Sequence, residues 1–176
     1  MANREALREL QTRLASRLQA ARTEGVPVAW LAVRTRGMGF LFPLAQAGEI
    51  FALANLQHVP YAQPWFRGVI NIRGGLFGVV DLATFVVTGQ AAGALPPSAP
   101  QASVVTLNSA MEVNCALQVD SLVGLRGADA FISSQGAQMG APAYFGNRLM
   151  DASAESWQEI NLRALAQTPQ FLNICA

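Results

Sequence analysis

Leu7, Leu10, Leu14, Leu18 and Ala21 recur at intervals of three and four residues. That spacing lays an apolar stripe along one face of a helix, and the arginines, glutamates and glutamines between them cover the rest. Gly25 and Pro27 stop it. The chain is therefore expected to open on an amphipathic helix over residues 1–24, followed by one β-rich domain over 25–176. Such a stripe docks either on its own domain or on a partner.

After Pro27 the period shortens. Apolar segments of strand length follow one another at 28–36, 38–45, 49–53, 69–73 and 76–82, punctuated by glycines and prolines. A second set occupies 103–108, 112–120 and 122–126. Short strands at this spacing predict a mainly β fold of small antiparallel barrels or sandwiches. Pro64 suits the first position of a helical turn and Gly68 its end, which predicts a single turn over "PWFRG". Residues 88–102 are rich in Gly, Ala and Pro without periodicity and read as a linker. It divides the strands into two successive groups, and two groups of five fit the spacing. Residues 127–147 read as a loop, and 156–172 as a short strand passing into a helix.

Composition narrows the function. Charged residues are 13% of the chain against a usual figure of about 25%, so its surface suits occupation by partners. A net charge of +1 leaves no footprint for nucleic acid. All twelve basic residues are arginine. Without lysine there is no P-loop lysine, Schiff base or lysine general base. His58 is the single histidine, so an imidazole triad or multi-histidine metal site has nothing to build on. Cys115 and Cys175 form neither a disulfide framework nor a metal spacing. Asp81, before "LATFVV", reads as a helix N-cap rather than a catalytic carboxylate. No cofactor, metal or enzymatic activity is expected. The N-terminus alternates Arg and Glu, and no apolar run approaches the roughly 18 residues of a membrane span, so no membrane insertion and a cytoplasmic location are expected.

One side chain is left over. In "VINIR", Ile70 and Ile72 share one strand face, while Val69, Asn71 and Arg73 share the other. That second face ends in a permanent charge next to Gly74-Gly75, where another backbone can approach closely. Glu49 is the only acid in the preceding strands. A Glu49–Arg73 pair would hold the guanidinium in one orientation, either as a plain structural ion pair or as part of a binding site.

The stretch "PWFRGVINIRGGLFGVVDL", residues 64–82, resembles the signature of CheW-like domains: a proline-led turn, a Gly-Val, an Asn-Leu-Arg-Gly hairpin, here Asn71-Ile72-Arg73-Gly74, and a Val-Asp-Leu ending. The likeness runs from about residue 28 to 165 through "MGFLFPLAQAGEIF" and "CALQVDSLVGL". The leucine-striped N-terminus and the "SWQEINLRALAQTPQFL" tail are most similar to the branch serving type IV pilus (twitching) chemosensory systems. Residues 127–155 depart from the family pattern, and Gly78 replaces a proline usual in the hairpin. The resemblance implies a fold of two five-stranded SH3-like β-barrels with an N-terminal helix and a short C-terminal helix. It also implies an adaptor role, coupling the cytoplasmic tip of a methyl-accepting chemotaxis receptor to a CheA-type histidine kinase. Carried over residue by residue, the receptor groove comprises Arg73, its acidic neighbour Glu49, Gly68, Asn71 and Gly74, with Ala47 and Leu125 as further candidates. From a different class, a small barrel in which Arg73 grips a carboxylate or phosphate would use the same guanidinium fork.

Overall fold

The computed structural model describes residues 29–88 and 101–176; the expected N-terminal helix and most of the expected linker lie outside them. Eleven strands form two sheets among these residues. The strands are β1 (Trp30–Thr35), β2 (Met38–Pro43), β3 (Ala47–Ala52), β4 (Phe66–Ile72), β5 (Gly75–Asp81), β6 (Ser103–Leu107), β7 (Cys115–Val119), β8 (Ser121–Arg126), β9 (Phe131–Gln135), β10 (Phe145–Asp151) and β11 (Ser156–Ile160). Helix α1 (Leu82–Thr88) follows β5, and α2 (Leu162–Ala166) and α3 (Pro169–Leu172) follow β11.

A six-stranded sheet runs β8-β1-β2-β11-β10-β9 and a five-stranded sheet runs β3-β6-β7-β5-β4. The fold is mainly β with two sheets, as expected, but the division does not fall at residues 88–102. β3 to β7 form one sheet across that segment, and the other sheet begins with β1 and β2 and resumes at β8. The reason is pairing: β5 and β7 lie side by side in parallel, with Val80 opposite Leu117, and parallel neighbours need a crossover connection, which here contains α1 and β6.

Alternation along the strands builds three apolar clusters. Trp30, Ala32, Leu41, Leu149 and Trp157 fill the inside of the six-stranded sheet. Ile70, Val79, Val104 and Ala116 fill the inside of the five-stranded one. The neighbouring positions point the other way: Leu31, Val33, Phe40 and Phe42 meet Val80, Val105, Leu117 and Val119 in a larger core between the sheets. Each such side chain contributes about 1.5–3 kcal/mol by leaving water. Cys115 lies in this core, and its burial pushes the thiol up to about 12, which leaves it protonated and inert at neutral pH.

Two local expectations are corrected. Pro64 and Trp65 form a turn closed by the Phe66 N–H to the Gln63 carbonyl at 2.9 Å, and the chain is already extended at Phe66, so there is no helical turn. Trp65 decides this: buried at 4% exposure, it stacks on Phe171 and meets the edge of Phe85, while its carbonyl accepts from the Asp81 N–H. Residues 127–147 contain β9 and the start of β10 rather than a loop. Phe131 docks edge-on against Trp30, whereas Ile132 to Gln135 are exposed and mostly polar, so the strand carries no apolar alternation to reveal it.

One ion pair ties the sheets together. The β1–β2 hairpin turns on Arg36-Gly37, both at positive φ. The Arg36 guanidinium donates to Asp81 Oδ2 at 2.6 Å, and its backbone N–H donates to Asp120 Oδ2 at 2.6 Å. The other oxygen of Asp81 caps α1, accepting from the Thr84 N–H at 3.1 Å. The N-cap expectation holds, with a second role added.

Asp81→Ala removes both the cap and the buried partner, so the unfolding free energy should fall by about 3–5 kcal/mol in urea titrations. A loss below about 1 kcal/mol would reduce the contact to a surface pair. Gly68 sits at a bulge in β4 with φ +134°, and a Cβ there would lie 2.1 Å from the Gln57 carbonyl oxygen. Gly74 has φ +86° but open space. Gly74→Ala should cost about 1–2 kcal/mol and Gly68→Ala clearly more; equal shifts in urea midpoint would contradict the close contact.

Candidate functional site

The β4–β5 hairpin is the nearest relation of the β1–β2 hairpin. Ile72 opposite Gly75 is its last pair, which leaves Arg73-Gly74 as a two-residue loop at φ +50° and +86°. These left-handed values match the right-handed twist of the flanking strands. Asn71 supports the turn, its side-chain oxygen accepting the Gly74 N–H at 2.9 Å.

This turn delivers Arg73 to Glu49. One terminal nitrogen donates to Oε1 and the other contacts Oε2, both at 2.8 Å, which makes the pair bidentate. Glu49 is held in turn by the Thr106 hydroxyl, which accepts its N–H at 2.8 Å and donates to its carbonyl at 3.2 Å. The guanidinium carbon stands 5.4 Å from the centre of the Phe51 ring, within cation–π range. β3 and β4 are the two edges of the five-stranded sheet, so the pair bridges the seam where that sheet curls toward closure. The side chains are 70% and 58% exposed, and an ion pair so open to water stabilises by about 1 kcal/mol or less.

Arg73, Glu49, Asn71 and Gly74 thus come together at one corner. Gly68 lies further up the same strand, where Val69 and Gln57 exchange backbone hydrogen bonds. Ala47 is buried beside Leu107 in the core between the sheets. Leu125 is carried by the edge strand of the other sheet, opposite Leu31. Leu31 packs into the core between the sheets, so Leu125 shares that face, beyond the core and exposed at 66%. Two exposed apolar side chains belong to the same strands: Leu76, opposite Asn71, and Ile50, next to Glu49 in sequence. Phe51 and Thr106 were not anticipated. Phe51 could have been, since it lies two residues beyond Glu49 on the same strand and so on the same face; Thr106 comes from a strand distant in sequence and gives no such signal.

The arrangement offers an oriented charge set among apolar side chains, the anatomy of a protein contact. Among the described residues no three His, Cys, Asp or Glu side chains converge to hold a metal. His58 is exposed. No helix among them is long and apolar enough to cross a membrane.

The protein PilI of Pseudomonas aeruginosa is 28% identical over 114 residues, 65% of this chain and 61% of that protein; the chain thus spans less than two thirds of that relative's length. The scaffolding protein TtCheW from Thermoanaerobacter tengcongensis shares the fold, with a TM-score of 0.63 at 12% identity over 80% of this chain and 88% of that one. The model of the CheW-like domain matches residues 29–141. Together with the two-sheet architecture and the Asn71–Gly74 hairpin, this match over more than half its length makes the chain a member of the CheW-like domain family.

Proposed function

We propose that this protein is a non-enzymatic, cytoplasmic adaptor that couples a methyl-accepting chemoreceptor to a CheA-type histidine kinase, in a chemosensory system controlling type IV pilus twitching. The observation that carries the reading is the Arg73–Glu49 pair. It is exposed and bidentate, set on a two-residue turn, with the exposed Leu76 opposite Asn71 at the base of that turn. An exposed pair contributes little to the fold, so the backing from Thr106 and Phe51 makes better sense as orientation for a partner. The receptor's cytoplasmic tip is that partner in this reading, with Asn71 and Gly74 shaping the corner, Gly68 further along the same strand and Leu125 as an outlying contact; Ala47, buried in the core between the sheets, does not line it. The kinase takes another face of the barrels.

The alternative of a small anion held by Arg73 is the weaker one. Glu49 already engages both terminal nitrogens of the guanidinium and offsets its charge, so a free carboxylate or phosphate would compete with a preformed chelate.

Arg73→Glu reverses the charge at the contact and sets two carboxylates together. In pull-downs with receptor and kinase fragments it should remove receptor binding, a loss of about 2–5 kcal/mol, while kinase binding and the melting profile persist. Arg73→Lys keeps the charge but not the planar fork and should weaken receptor binding less. Normal receptor binding by Arg73→Glu, or its failure to fold, would return Arg73 to a purely structural role.

A further inference from the structure

Several clefts among the described residues do not include Arg73 in their walls. Two of them, of about 560 and 420 Å³, lie against β10 and β11 and share Val86, Phe145, Arg148 and Gln158 in their walls. Both fall within the size range of ligand-binding sites, about 300–1,000 Å³.

Strand register shows what lies on their floor. Arg148 of β10 stands opposite Gln135 of β9 on one side and Gln158 of β11 on the other, and Gln158 is level with Phe40 of β2. Cross-strand neighbours share a face. A row of amide, guanidinium, amide and phenyl therefore crosses four strands, and each member lines one cleft or both. Gln158 is fixed, its amide nitrogen donating to the carbonyls of Gly146 and Glu159 at 3.1 and 3.0 Å. The one carboxylate lining these clefts, Glu155, is committed to Arg34. Among the described residues Arg148 itself makes no ion pair. The cleft thus carries a positive charge without a counter-charge, an adjacent exposed amide at Gln135, and apolar walls at Val86 and Phe145.

We infer that this cleft binds an acidic peptide segment of a partner protein, with a carboxylate on Arg148 and Gln135 and a neighbouring apolar side chain against Val86 and Phe145. A planar carboxylate matches a single guanidinium fork, whereas phosphate recognition draws on clusters of arginines. The chain's own residues 89–100 contain no acid and cannot supply the carboxylate. Glu5, Glu9 and Glu24 could do so from the N-terminus, and the test separates that source. The site shares no residue with the Arg73 corner and does not depend on its assignment.

The experiment is a side-chain NMR titration of the full chain with the peptide acetyl-Leu-Glu-Leu-Glu-amide and with its Gln counterpart. The expected result is a shift of the Arg148 Nε–H and Gln135 amide signals with the acidic peptide, about tenfold weaker binding of the neutral peptide, and a similar loss in Arg148→Gln. Equal response to both peptides, no response, or a response that Arg148→Gln leaves intact would overturn the site. Movement of the Arg148 signal in a Glu5→Gln, Glu9→Gln, Glu24→Gln chain without added peptide would show the cleft filled from within and overturn the partner assignment.

Discussion

The strands at the junction of the two sheets are apolar on both faces, and the rest of the molecule depends on that double burial. β1, β2, β5, β6 and β7 each place alternate residues inside their own sheet and the residues between them in the shared core. Neither sheet could expose its outer face to water without stranding side chains such as Leu31, Phe42, Val105 and Leu117. The lobes are therefore two halves of one core, and a charge at their boundary survives only when paired. Arg36 and Asp81 meet that condition, with side-chain exposures of 16% and 3%.

The two Arg-Gly hairpins show one local device put to opposite ends. Both loops hold an arginine and a glycine at positive φ, so both project a guanidinium from a rigid, short turn. Arg36 is turned inward, where the low dielectric makes its pairing a condition of folding. Arg73 is turned outward across the seam of the five-stranded sheet, where pairing fixes a direction at little energetic consequence. The same two-residue motif thus joins the two sheets in one case and leaves an oriented, exposed guanidinium in the other.

Much of this was legible in the chain. Strand positions followed from apolar runs and turn residues, because side chains buried on one or both faces must be apolar. The Glu49–Arg73 pair followed from alternation and the scarcity of acids. What escaped was set by long-range partners. Arg36 carries no local mark of its target, since Asp81 lies 45 residues on in sequence. β9 owes its strand state to hydrogen bonds from β10 and to one docked phenylalanine. Trp65 prefers the aromatic cluster of Phe85 and Phe171 to the helical geometry its proline would allow. The sheet boundaries were misplaced because composition marks residues 88–102 as a break, whereas parallel pairing of β5 with β7 reaches across it.

The nesting of one sheet inside the other has a consequence for biosynthesis. Residues 47–119 supply every strand of the five-stranded sheet, while the six-stranded sheet needs residues 30–43 and then 121–160. As the chain leaves the ribosome, the inner lobe can close as soon as β7 emerges. Leu31, Phe40 and Phe42 can pack on that lobe at once, but the other face of the β1–β2 hairpin, with Trp30 and Leu41, stays unpartnered until β8 and β11 arrive more than 75 residues later. Long-range closure of this kind is slow, and apolar strands left open meanwhile invite association with other chains. Translation speed through residues 121–160 thus sets how long this protein is exposed to aggregation.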